Sequence, residues 1–276
     1  MKIEAISSKN NPTVKWASSL SDKKGRDESS AFMVEGLKLS LEAIRSLYPV
    51  SHILLREDNA SEFLPIIEGE LQRAEKNDAR IVILSDIAFE KITTEKAPQG
   101  IITVLKKLDF SNIADIIYKE DFFSLYDEKS IVLASLRDPS NIGAVIRTAA
   151  ALRFDRIILS SDCADVFSPK ALRSAMGGIF KLKISYVSSV CEFVKKATEA
   201  GRRVFAAELS ETARAISEIH PSARDFIIIG NEGHGIDTEV SSLCTGSVFI
   251  PINPDVESLN ASVAAAILMW EQSKNC

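Results

Sequence analysis

Three stretches of the 276-residue chain combine chemically useful residue types with spacings that put them on loops or helix starts. The first is Asp138-Pro139-Ser140-Asn141-Ile142-Gly143, followed by Arg147 among Ala144, Val145, Ile146, Ala149, Ala150 and Ala151. Asn141 or Ser140 suits a helix cap. An arginine alone in so apolar a helix is either one half of a salt bridge or a cation aimed at an anion. The second is Gly230-Asn231-Glu232-Gly233-His234-Gly235, directly after an apolar run. Its three glycines permit positive φ and close backbone approach. It is neither a dinucleotide fingerprint nor a Walker loop: the spacing differs, the Lys-Ser/Thr pair is missing, and Glu232 would repel a pyrophosphate. Glu232 in such a turn orients an arginine or caps a helix. The third, Ile250 to Asn260, leads from a strand into the last helix. With Ser258 as N-cap, Leu259 and Asn260 offer amide donors in the first turn.

These loops need a frame. In the second half, strands are expected at 131–136, 156–160, 203–207 and 226–229, and helices at 143–153, from Ser168-Pro169 to Gly177-Gly178, at 189–200 and at 258–271. The run Phe226-Ile227-Ile228-Ile229 is apolar throughout, as in a strand covered on both faces. This alternation implies an open, mostly parallel sheet with helices on both sides, where ligands bind beyond the carboxyl ends of the strands. The last helix is apolar almost all round, so it is buried against the sheet or against a partner subunit. The first half alternates faster: helices at 12–20, 35–47 and 60–76, strands at 52–55, 81–84 and 100–105, and a charged loop at 21–28. That is a smaller α/β domain. The expected division is 1–115 and 116–276.

Composition narrows the function. The hydrophobic fraction of 46% excludes disorder over most of the chain. No apolar run reaches the roughly 18–20 residues of a membrane helix, and Met1-Lys2-Ile3-Glu4 does not begin a signal peptide. Cys163, Cys191, Cys244 and Cys276 lie far apart without a CxxC pair, so neither a zinc site nor a disulfide framework is expected. A cytoplasmic, metal-free protein follows. The net charge is −5, and residues 1–115 carry 16 basic against 18 acidic side chains, so nucleic acid would have to be met by a local basic cluster. Lys9, Lys15, Lys23, Lys24, Arg26 and Lys38 form the richest one of the first 40 residues, a solvated face or an RNA contact; Lys170 and Arg173 are further candidates.

Taken together and in order, Asn141-x-Gly143-x-x-x-Arg147, Gly230-Asn231-Glu232-Gly233, and Ile250-Pro251 with Glu257-Ser258-Leu259-Asn260-Ala261-Ser262-Val263-Ala264 closely resemble the three signature motifs of the SpoU (TrmH-like) RNA 2′-O-ribose methyltransferases of the SPOUT superfamily. Ser168 to Gly178 also looks like this family, so the likeness runs over about residues 131–271. Ser8-Lys9-Asn10-Asn11-Pro12, Phe32-Met33-Val34-Glu35-Gly36 and Pro98-Gln99-Gly100 look like the family's substrate-binding domain, which resembles a small ribosomal-protein fold.

The resemblance implies a parallel sheet ending in a trefoil knot, S-adenosylmethionine as cofactor, a homodimer, and RNA as substrate, ribosomal RNA ahead of transfer RNA. It makes Gly230, Ile250 and Leu259 the cofactor-binding positions. Arg147 would act on the ribose 2′-hydroxyl, with Asn141, Glu232, Ser258 and Asn260 completing the site. A guanidinium with a pKa above about 12 is a poor base; a fixed cation beside the developing alkoxide or the adjacent phosphate suits it better, oriented by Glu232 and Asn141. The family usually has glycine where this chain has Pro254, which donates no amide. The rival readings are a transfer-RNA methyltransferase and a non-catalytic RNA-binding protein on the same fold. A nucleotide-dependent dehydrogenase fails for want of a dinucleotide fingerprint.

Overall fold

The computed structural model describes residues 3–76, 78–108 and 128–274. The chain forms two compact units, Met1–Asp109 with Asp165–Phe180, and Phe110–Ala164 with Lys181–Cys276. The expected junction at 115/116 lies outside the described residues.

The first unit is built on a five-stranded sheet of order β1-β4-β3-β5-β2. Its strands are β1 (Ile3–Ile6), β2 (Ala31–Glu35), β3 (Val50–Arg56), β4 (Arg80–Leu84) and β5 (Ile101–Lys106). β1, β4 and β3 run parallel; β5 runs antiparallel between β3 and β2. One face carries Ile6, Met33, Leu54, Val82, Ile102 and Val104 onto α1 (Pro12–Ser19) and α5 (Asp86–Glu90). The helices α3 (Leu37–Arg45) and α4 (Glu57–Arg73) complete this α/β layering. α1 starts as its sequence dictates: Asn11 Oδ1 accepts from Thr13 N at 2.8 Å, with Pro12 in the first turn.

Residues 21–28, expected as a charged loop, are mostly helical instead, in α2 (Lys23–Ser29). Gly25 sits inside this helix because a Cβ there would lie 2.6 Å from the carbonyl carbon of Ser19. β1, β2 and β8, described below, also escaped the periodicity. β1 is an exposed edge strand, and the other two are short runs without a clear alternation. The carboxyl ends of β1 and β2 and the start of β5 share one end of the sheet. The stretches 35–36 and 98–100 meet there, with Leu37 N donating to Gln99 Oε1 at 3.0 Å, while 8–12 follows the opposite edge strand at the same end. Gly36 and Gly100, with φ of +93° and +83°, make the turns a side chain would strain.

The segment 165–180, with α7 (Pro169–Ala175), packs within this first unit although it lies between two strands of the other sheet. Arg26, expected as an RNA contact, is 3% exposed and holds Asp165 at 2.7 Å. It also donates to the carbonyls of Leu20 and Ser21 at 2.8 and 2.7 Å, so four of its five N–H donors are used within this unit and the buried group is not presented to a phosphate. Phe167 stacks 4.6 Å from Phe32, and Arg173 pairs with Glu95 at 3.2 Å.

The second unit carries a seven-stranded sheet of order β10-β12-β9-β11-β6-β7-β8, parallel at every pairing. The strands are β6 (Ser130–Leu133), β7 (Arg156–Ser160), β8 (Lys183–Val187), β9 (Val204–Ala207), β10 (Arg214–Ala215), β11 (Phe226–Ile229) and β12 (Gly246–Phe249). Side chains alternate across each strand. Val132, Ile158, Val204, Ala206, Phe226 and Ile228 point to one face and pack with Phe193, Val194 and Ala197 of α8 (Val190–Glu199) and Val240 of α10 (Thr238–Leu243). Their neighbours Ile131, Leu133, Ile157, Leu159 and Ile227 are buried as well. Two further helices, α6 (Pro139–Ala151) and α11 (Ala261–Lys274), pack against each other. Between β10 and β11 lies a single turn, α9 (Ile216–Ile219). Among the described residues no helix is long and apolar enough to cross a membrane.

Candidate active site

The three signature stretches follow β6, β11 and β12, all at the carboxyl end of the parallel sheet. β6 and β11 are neighbours, and Ala134 N donates to Ile229 O at 2.8 Å just beyond them. β9 alone separates β11 from β12, so Gly230 and Ile250 stand about two strand spacings, roughly 10 Å, apart.

Side chains knit the three stretches together. Asn141 Nδ2 donates to Glu232 Oε1 at 3.0 Å, and Asn260 Nδ2 donates to Asn141 Oδ1, also at 3.0 Å. Glu232 takes two backbone donors as well, Arg137 N on Oε2 and Asp138 N on Oε1, each at 3.2 Å. Partial burial works against the charged carboxylate. The Asn141 amide and the backbone N–H groups outweigh it and hold Glu232 below the usual carboxylate range. Glu232 is therefore an anchor for the first loop. The expected pairing of Glu232 or Asn141 with Arg147 is absent among the described residues: Glu232 turns to the loop amides, and the Asn141 amide bonds Glu232 and Asn260. Arg147 points from the exposed side of α6, and no described residue pairs with it.

Two caps differ from expectation. α6 begins at Pro139, capped by Asp138, whose Oδ1 accepts from Ser140 N at 2.9 Å; Asn141 and Gly143 lie inside its first turns. Neither Ser140 nor Asn141 caps it. A Pro at the first helical position after an aspartate favours this earlier start. Likewise α11 is capped by Asn260, not Ser258. Asn260 Oδ1 accepts from Ser262 N at 2.9 Å and Val263 N at 3.4 Å. Ser258 stays exposed ahead of the helix, and Leu259 is half-buried.

Gly230 has a steric reason. A Cβ there would stand 2.5 Å from the carbonyl oxygen of Gly235 and 2.7 Å from Ile236 Cγ1. The loop closes on itself through Asn231 N to Gly235 O (2.8 Å) and Gly235 N to Asn231 O (3.0 Å). Asn231 Oδ1 caps Gly233 N and His234 N, while its Nδ2 reaches Ser135 O at 2.8 Å. The stretch from 251 to 259 stays open. Among the described residues its backbone donors in use are Val256 N, to Asn253 O, and Asp255 N, to Asn253 Oδ1. Pro254, lacking an N–H, sits in that turn.

One polar group was not read from the sequence. Ser135, with φ of +58°, donates through Oγ to Asp162 Oδ2 at 2.7 Å; Ser160 and Arg137 share that carboxylate. Its partial burial opposes ionisation, but the Ser160 and Ser135 hydroxyls and the Arg137 guanidinium prevail and lower its pKa. Ser160-Ser161-Asp162 after an apolar strand was the available hint.

A model of the SpoU rRNA Methylase family matches residues 128–270, just over half of the chain and all three signature stretches. The chain belongs to the SpoU rRNA methylase family. A second model, the MRM3-like substrate binding domain, matches residues 11–103. Among relatives, the 23S rRNA (guanosine(2553)-2′-O)-methyltransferase RlmP of Bacillus subtilis is 29% identical over 97% of this chain and 98% of its own. The 23S rRNA (uridine(2479)-2′-O)-methyltransferase of Streptomyces viridochromogenes is 28% identical over 96% and 90%. Among solved structures, an AdoMet-bound rRNA methyltransferase from Sinorhizobium meliloti superposes with a TM-score of 0.84 at 26% identity, covering 99% of this chain and 98% of that one. In this SpoU chain the signature residues Asn141, Glu232 and Asn260 are one hydrogen-bonded group.

Proposed function

We propose that this protein transfers a methyl group from S-adenosylmethionine to a ribose 2′-hydroxyl of ribosomal RNA. The observation that carries the reading is the Asn260–Asn141–Glu232 hydrogen-bonded chain, which unites the three signature stretches at the carboxyl end of a parallel sheet.

The residues fit the cofactor. Gly230 has no room for a Cβ, because Gly235 and Ile236 pack against it, and this close approach sets the path of the loop beyond β11. The open main chain of 251–259 offers unused carbonyls and amides, though none at Pro254. Gly230, Ile250 and Leu259 are the assigned backbone contacts. The cofactor supplies an electrophilic methyl on a sulfonium. Everything else is positioning, since an in-line displacement gains most from aligned reactants. Arg147 contributes a fixed cation toward the 2′-oxygen as its proton leaves, or toward the neighbouring phosphate. Asn141, Glu232 and Asn260 hold the start of the helix that carries it, and Ser258, exposed two residues before Asn260, is assigned to the same site.

RNA is met by the first unit, where Lys9, Lys15, Lys23, Lys24 and Lys38 are exposed. A homodimer accounts for the last helix, whose Val263 and Trp270 are 46% and 54% exposed; Ile252 and Val256 in the loop before it are exposed as well. The trefoil knot and a cytoplasmic location belong to the same reading.

Calorimetric titration with S-adenosylmethionine, with Gly230→Trp as the blocked control, tests it first. Binding lost in the variant is expected, followed by one missing 2′-O-methyl site in ribosomal RNA of a deletion strain. A missing site in transfer RNA would move the substrate. RNA binding without cofactor binding would leave a non-catalytic RNA-binding protein. Arg147→Lys should lose most of the rate, because a point charge does not replace a planar fork.

A further inference from the structure

We propose that Asp162 is a positioning residue for methyl transfer, gripping the loop that leads from β6 to Asn141 and the Arg147 helix. The inference rests on the function proposed above.

In the sheet, β6 lies between β11 and β7. The loop after β6 is held from both flanks. From the β11 side, Glu232 takes the N–H groups of Arg137 and Asp138. From the β7 side, Asp162 takes the Ser135 hydroxyl at 2.7 Å and Arg137 Nη2 at 2.9 Å. Ser160 braces this second grip: its Oγ accepts from Ser135 N at 2.8 Å and donates to Asp162 Oδ1 at 2.5 Å. Ala164 N adds a bond to Leu136 O at 2.9 Å.

Ser135 is the centre of the device. Its φ of +58° is a left-handed conformation that a side chain disfavours. All three of its polar groups are engaged, N–H with Ser160, Oγ with Asp162, and C=O with Asn231 Nδ2. Strain so thoroughly overdetermined by its surroundings marks a position where the path of the backbone matters. That path sets where α6 begins, and therefore where Asn141 and Arg147 stand. Glu232 belongs to a signature stretch; Asp162 does not. A loop gripped on one flank alone can pivot about that grip, and a misplacement of about 1 Å lowers a transfer rate by about 100-fold.

The test uses the full-length protein with in vitro transcribed, unmodified 23S ribosomal RNA. Asp162→Ala should lower kcat by about 10–100-fold. The KM for RNA and the Kd for S-adenosylmethionine should stay within about twofold, since neither binding surface is touched. Asp162→Asn, which keeps the shape and one acceptor oxygen but not the charge, should fall between. Ser135→Gly separates positioning from stability. Glycine accepts the left-handed φ without strain, so Tm should hold or rise, yet kcat should fall because the hydroxyl is gone. Full kcat in folded Asp162→Ala would overturn the proposal, as would losses confined to KM or Kd, or a Ser135→Gly variant with wild-type kcat. If the wild-type protein itself methylates no ribose, the functional reading falls and this inference with it.

Discussion

Replacing Arg26 with alanine separates a structural role from an RNA contact. The side chains of Arg26 and Asp165 are 3% and 11% exposed, and Arg26 Nε and Nη2 both meet Asp165 Oδ2, at 2.8 and 2.7 Å. Arg26 Nη1 serves the Leu20 and Ser21 carbonyls as well. The alanine variant leaves a buried carboxylate without its cation and two carbonyls without their donor. Removing one partner of a buried pair costs about 3–5 kcal/mol. Urea unfolding followed by circular dichroism should show a loss of that size, and hydrogen exchange should rise across 165–180, the segment the pair fastens. Replacing both partners at once, Arg26→Met with Asp165→Leu, should recover only the part due to the unpaired charge, because the Leu20 and Ser21 carbonyls and Phe167 N stay without their partners. RNA affinity measured against salt supplies the contrast. A residue that neutralises a phosphate reduces the slope of log K on log salt by about 0.7–0.9, whereas Arg26→Ala should leave it unchanged. A stability loss under about 1 kcal/mol, the range of an exposed pair, together with a shallower slope, would refute the structural assignment.

Gly230→Ala should abolish S-adenosylmethionine binding by calorimetry, because its Cβ would press on the Gly235 carbonyl and Ile236. Asn260→Ala removes both the cap of α11 and the link to Asn141; it should cost about 1–2 kcal/mol in denaturant unfolding and lower kcat more than KM. The carboxyls of Glu232 and Asp162 titrate below their usual values in the folded state, so they stabilise it above about pH 4 and lose that effect as pH falls through their lowered pKa values. The Tm difference between wild type and Glu232→Gln should therefore be constant from pH 5 to 8 and shrink toward zero at strongly acidic pH. Burial, chiefly, pushes up the thiols of Cys163 and Cys191, and that of Cys244 to about 12, so alkylation at pH 8 should be slower at all three than at a cysteine in a short peptide, and slowest at Cys244 and the buried Cys163.

Much of this protein was legible in its residues alone. Short apolar runs alternating with helical periodicity announced a parallel sheet, since a strand such as Phe226–Ile229 is apolar throughout only when both faces are covered. Glycines and turn residues after those strands marked the loops that carry Asn141, Glu232 and Asn260. Local chemistry also set helix starts at Asn11-Pro12 and Ser168-Pro169, where the side-chain cap and the proline act within a few residues. The pairings between distant residues were decided only in three dimensions. Glu232 and Arg147 are both suited to an ion pair, and only the order β11-β6-β7 turns Glu232 toward the loop amides instead. Arg26 reads as one cation of a basic stretch until Asp165, 139 residues away, is found against it. Asp162 and Ser135 are 27 residues apart and belong to no motif. Strand order makes them neighbours, and spacing along a chain carries no record of strand order.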